Sequence, residues 1–142
     1  MTDVVFEKAV ALDGEGTTAL LKNVTIKETH DYYALWISAC GQTVTMEDCT
    51  IDSLGRGVKI DEQYVGTPAK VTLNVKNCKF TTKSKSAIIV KTSAGAEINV
   101  SDVDITNVAK DSVNAVWVDE DAAAYADLVI VTGATKVVEG QQ

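Results

Sequence analysis

The stretch Val44-Thr45-Met46-Glu47-Asp48-Cys49-Thr50-Ile51 decides the fold. Its apolar residues alternate with polar ones as far as Met46, Asp48 breaks the alternation, and Cys49-Thr50-Ile51 resumes it. Alternation is the two-residue period of a β-strand. Three further segments repeat the pattern: Ala19-Leu20-Leu21-Lys22-Asn23-Val24-Thr25-Ile26, Leu73-Asn74-Val75-Lys76-Asn77-Cys78-Lys79-Phe80 and Ile98-Asn99-Val100-Ser101-Asp102-Val103-Asp104-Ile105. The break falls each time on Asn or Asp, at Asn23, Asp48, Asn77 and Asp102. These residues tolerate left-handed backbone geometry, so a sharp bend between two short strands is expected at each.

A second motif, a small residue and then apolar-x-apolar, follows every copy after a loop. Its versions are Ala34-Leu35-Trp36-Ile37, Gly57-Val58-Lys59-Ile60, Ala87-Ile88-Ile89-Val90 and Ala115-Val116-Trp117-Val118. The last position of the first motif returns after 25, 29 and 25 residues, at Ile26, Ile51, Phe80 and Ile105. Three short strands in about 20–30 residues, with little room for helices, make one turn of a parallel β-solenoid. Val4-Val5-Phe6 and Leu128-Val129-Ile130-Val131 read as partial turns at the two ends. The expectation is one all-β domain over 1–142, with a cap or partial turn at 1–18, repeat turns at 19–118 and a partial turn or tail at 119–142.

Turns stacked about 4.8 Å apart place equivalent residues in ladders. Val24, Cys49, Cys78 and Val103 form one inward column, and Ile26, Ile51, Phe80 and Ile105 another. Cys49 and Cys78 therefore read as small core hydrophobes, and no histidine falls beside either in the repeat. The third cysteine, Cys40, makes the count odd, and no Cys-x-x-Cys occurs, which argues against a disulfide framework or a zinc site.

With these segments in hand, the chain resembles the right-handed parallel β-helix proteins of pectate-lyase-like architecture over roughly residues 19–137. The resemblance implies a single-stranded right-handed solenoid of about four full turns plus partial terminal turns. It implies no single activity, since lyases, adhesins and phage tail and capsid proteins share the architecture. Pectate lyases of this kind use an arginine base with calcium-binding aspartates. Here Arg56 is the only arginine. It lies on the turn Leu54-Gly55-Arg56-Gly57 with no acidic cluster beside it in sequence, and reads as a turn residue.

The outward positions of the second motif form a row: Trp36, Lys59, Ile89 and Trp117. A strand apolar on both faces is usually covered on both, so one reading has the terminal segments or the loop from His30 to Tyr33 folded over this row. The other makes it a contact surface for a second subunit or a sugar ring, extended by Tyr32 and Tyr33. Acidic residues follow the same strands, and Asp61, Glu62, Asp119 and Asp121 are weak candidates for Ca²⁺, which prefers oxygen ligands. Solvated acidic loops are the simpler reading.

Charge is layered. Residues 1–62 carry a net −6, residues 63–96 a net +6 and residues 97–142 a net −7. Attraction between successive turns is one consequence. The other is a positive girdle, Lys76, Lys79, Lys83 and Lys85, that receives an acidic partner. The overall charge of −7 argues against general nucleic-acid binding, which needs cations to displace phosphate counterions. No apolar run approaches the roughly 18 residues of a membrane span. The opening Met1-Thr2-Asp3 lacks the basic and apolar regions of a secretory leader, so no signal peptide is expected.

The functional expectation is a non-catalytic structural or adhesive module, most simply a phage virion surface component such as a decoration, fibre or tail protein. The alternative is a carbohydrate- or host-binding domain of a bacterial surface protein, and a polysaccharide lyase or hydrolase ranks third. No cofactor is expected. Expected partners are further copies of the chain, with a trimer as one form, other virion or surface proteins, or a glycan.

Overall fold

A computed structural model describes residues 1–30, 32–61, 67–83, 87–107, 112–113 and 115–139. Strands β1 (Val5–Phe6) and β2 (Val10–Leu12) form an opening partial turn. The first full turn is β3 (Thr18–Lys22), β4 (Thr25–Glu28) and β5 (Tyr33–Ile37), and the second is β6 (Thr43–Glu47), β7 (Thr50–Ser53) and β8 (Arg56–Asp61). The third is β9 (Val71–Lys76), β10 (Lys79–Thr82) and β11 (Ile88–Lys91). The fourth comprises β12 (Ala96–Ser101), β13 (Asp104–Asn107), the short β14 (Ser112–Val113) and β15 (Ala115–Val118). A 3₁₀ segment, Glu120–Leu128, then leads to β16 (Val129–Thr132) and β17 (Thr135–Val138).

Like strands stack on like. Sheet A runs β3-β6-β9-β12-β16, sheet B runs β1-β4-β7-β10-β13-β14 and sheet C runs β2-β5-β8-β11-β15-β17. Among the described residues every strand pairing is parallel except β13 with β14. The molecule is thus an all-β parallel solenoid of about four turns.

The bends explain why each turn closes. Asn23, Asp48, Asn77 and Asp102 all have φ between 51° and 55°, the left-handed conformation expected of them. Asp3, with φ 56°, is a fifth member. Up the stack these positions alternate Asp, Asn, Asp, Asn, Asp, so no two carboxylates are direct neighbours. Asn23 Nδ2 donates to Asp3 Oδ1 at 2.6 Å, and Asn77 Nδ2 donates to Asp48 Oδ1 at 2.7 Å.

Inside, the ladders run as the repeat requires. Ile26, Ile51, Phe80 and Ile105 are in successive register and fully buried. Cys49 and Cys78 are buried one above the other, with Val24 on one side and the half-buried Val103 on the other. The Cys49 backbone N–H donates to Cys78 Sγ at 3.4 Å, and the Cys49 thiol donates to the Leu21 carbonyl at 3.3 Å. Hydrogen bonding to Cys49, and then burial, push the Cys78 thiol well up, so it stays protonated. Each buried aliphatic or aromatic side chain of these columns contributes roughly 1.5–3 kcal/mol.

The final turn is cut short. From β16 on sheet A the chain passes through Gly133 and Ala134 to β17 on sheet C, without a strand on sheet B. Gly133 has φ +86°, and a Cβ there would overlap the Val100 carbonyl, so only glycine allows the crossing. Ala134 packs against the core. This shortcut sets β17 beside β15 as the last strand of sheet C.

Candidate functional site: the outer face of sheet C

The outward row falls in register as the repeat implies. Trp36 is opposite Lys59, Lys59 opposite Ile89, and Ile89 opposite Trp117. Ala11 extends the row at one end and Val137 at the other. Its two halves have different surroundings. Ile89 and Trp117 are only 1% and 4% exposed, and they pack with Ala115 and with Val137 of β17. They are a second, outer apolar cluster. Of the two readings of the row, covered or open to a partner, the open one does not fit this half, which is buried with Val137 of the adjoining strand beside Trp117.

The other half is half-buried and polar-edged. The Trp36 indole N–H donates to the Asp61 carbonyl oxygen at 3.1 Å, which fixes the ring across the rung boundary. The Tyr33 ring lies 5.5 Å from Trp36, and Tyr32 meets Tyr33 edge-on at 6.4 Å. Such tilted pairs are the favoured arrangements of aromatic quadrupoles. Lys59 Nζ sits 5.5 Å from the centre of the Tyr33 ring and pairs with Asp61 Oδ2 at 3.2 Å. Burial first, and the Asp61 carboxylate second, hold the Tyr33 phenol above its usual range, with Arg56 partly offsetting them. Arg56 lies opposite Tyr33 in the ladder, which makes it a member of this cluster as well as a turn residue. Tyr32 is the open edge, 64% exposed.

Beyond Asp61 the face ends in a notch. Of the five passages from sheet C back to sheet A, the one between β11 and β12, residues 92–95, is the shortest. A depression of about 270 Å³ lies at this short passage, beside the 3₁₀ segment. Its described lining is Asp61, Lys91, Thr92, Ser93, Asp121, Ala122 and Tyr125. Lys91 is in register with Asp61 and pairs with Asp121 Oδ2 at 3.6 Å. The intervening lysine therefore separates the two carboxylates. Asp119 accepts the Asp121 N–H at 2.9 Å and caps the 3₁₀ segment, and Glu62 lies outside the described residues. Among the described residues no three His, Cys, Asp or Glu side chains are grouped to hold a metal ion.

The lysine girdle lies elsewhere. Lys76, at the end of sheet A, and Lys79 and Lys83, on and just after β10 of sheet B, are exposed, and Lys85 lies outside the described residues. Lys76 is in register with Glu47 and Lys79 with Asp104. Lys70 pairs with Glu97 at 2.9 Å, and that hydrogen bond is the main reason the Glu97 carboxyl is held below its usual range. The charge layers thus meet acid to base between turns. Sheet A's outer face adds a polar ladder in which Asn99 donates to Asn74 Oδ1 at 2.9 Å and Asn74 to Thr45 Oγ1 at 3.4 Å.

Lys91, Ser93 and Tyr125 were not legible as site residues from their own types. The short passage between β11 and β12, next to the longer one that carries Tyr125, is the signal that places them together. Among the described residues no helix is long and apolar enough to cross a membrane. In comparisons with known proteins, no family model, no curated protein and no solved structure matches the chain.

Proposed function

We propose that the chain is a non-catalytic structural and adhesive module that holds a partner on the outer face of sheet C, through Tyr32, Tyr33, Trp36 and Lys59. The observation that carries this reading is the exposed Tyr32 edge of an aromatic cluster whose inner members are fixed. Tyrosine and tryptophan are among the usual anchors of protein interfaces. Anchors held on stacked rungs lose little freedom on binding, so more of the contact energy is retained. The phage virion surface, as a decoration, fibre or tail component, is the setting supported by the sequence resemblance, with the partner a further copy of the chain or a neighbouring virion protein. Light scattering of the free chain tests self-association. A concentration-dependent oligomer that Tyr32→Ala and Trp36→Ala both weaken is the expected result. A monomer at all concentrations that also fails to bind virion or host surfaces would remove the reading.

A second reading is a carbohydrate-binding domain of a bacterial surface protein, favoured by the notch beside the aromatic cluster. A lyase or hydrolase has less support, because Asp61 and Asp121 are each paired with a lysine and Arg56 is set against Tyr33. Release of new reducing ends or unsaturated products from polyuronates would restore it.

A further inference from the structure

We infer that the notch over residues 92–95 is a binding subsite for one neutral sugar ring. The inference rests on the reading of sheet C's outer face as a contact surface, and adds to it a ligand class and a place. Size sets the first limit: about 270 Å³ lies below the roughly 300–1,000 Å³ of drug-sized ligand pockets, which suits a single ring.

Charge sets the second limit. Asp61, Lys91 and Asp121 line the notch, and Lys59 neutralises Asp61 from the side. An anion entering it would face two carboxylates, and a divalent cation would face the Lys91 ammonium. A neutral polyol avoids both penalties. Its hydroxyls can donate to the carboxylates and accept from Lys91 and from the Ser93 hydroxyl, all charge-assisted or ordinary hydrogen bonds at the rim of a concave site. Thr92 is not counted among these contacts, because its hydroxyl oxygen accepts the Ala94 and Gly95 N–H groups and shapes the floor.

The third element is a platform. Tyr125, on the 3₁₀ segment, lines the notch and is 43% exposed, so its ring offers an apolar face to the C–H side of a sugar. An amphipathic ring meeting hydroxyl acceptors on one side and an aromatic face on the other is what a pyranose requires. The 3₁₀ segment that joins β15 to β16 brings this ring to the notch.

The test is a titration of the full chain with D-glucose, D-galactose, D-mannose and N-acetyl-D-glucosamine, followed by backbone amide shifts. At least one of these sugars is expected to move the Thr92, Ser93 and Ala122 amides together. Tyr125→Ala, at an exposed site that leaves the fold intact, should weaken that sugar by about three- to tenfold. Asp121→Asn, which keeps the shape and one acceptor, should weaken it measurably while the amide spectrum elsewhere is unchanged. Three results would overturn the inference: no shift with any of the four sugars, shifts indifferent to Tyr125→Ala, or shifts reproduced by Ca²⁺ or D-glucuronate and absent with neutral sugars. Failure here with Tyr32-dependent association intact removes the sugar subsite alone. Sugar binding with no effect of Tyr32→Ala or Trp36→Ala on any contact removes the wider contact face and leaves the subsite.

Discussion

Trp36 and Trp117 occupy the same position of the same repeat, three rungs apart on one outward row, yet they do different work. Trp117 is buried and packs with Ile89, Ala115 and Val137. Trp36 is half-buried, tied by its N–H to Asp61, and leads through Tyr33 to the exposed Tyr32. A β-sheet position therefore does not carry a fixed role. What the neighbouring rungs set beside it decides how far an indole is buried.

The largest expected effect separates the two indoles by stability. Trp117→Ala should cost about 3–5 kcal/mol in urea unfolding, because it empties a closed cluster. Trp36→Phe should cost only about 1 kcal/mol, the worth of the hydrogen bond to Asp61 and a little packing. Equal losses at the two sites would break the comparison.

The next effect is on ionisation. The folded chain holds the Tyr33 proton more tightly than the unfolded chain, whose phenol titrates near 10.0. The resulting contribution to stability is intact below pH 10 and is lost as pH rises through the raised folded value. Asp61→Asn removes the second cause of the shift, so the Tyr33 titration should move down while burial keeps it above the ordinary value. Tyrosinate formation 5.5 Å away should quench Trp36 and leave Trp117 unaffected. Quenching of both indoles together would show that the row is not split.

The smallest expected effect is Tyr32→Ala, which should change folding stability by less than about 0.5 kcal/mol. The same variant should weaken association through sheet C, read by light scattering. A stability loss comparable to Trp117→Ala would place Tyr32 in the fold and not at a contact edge.

Much of this was readable in the residues. The Asn and Asp breaks fixed where each strand bends, because left-handed geometry is a local property of those side chains. The inward columns followed from the repeat interval, since parallel register preserves position from rung to rung. Asp3 was harder to see, because only the second half of the motif, Asp3-Val4-Val5-Phe6, is well kept there. The placing of Val137 beside Trp117 was not legible, since it depends on Gly133 sending the chain across to sheet C, a tertiary choice with no periodic signal. The 3₁₀ segment was missed for a related reason. Its cap, Asp119, looks like any acidic loop residue until its side chain is seen to accept the Asp121 N–H.

The most direct test of the stacked register is a set of proton–proton NOEs in the free chain. The register requires contacts from the Trp36 ring to the Lys59 side chain, and from the Trp117 ring to Ile89 and Val137, with Trp36 and Trp117 far apart. Direct Trp36–Trp117 contacts, or neither ring touching its neighbour in the row, would contradict it.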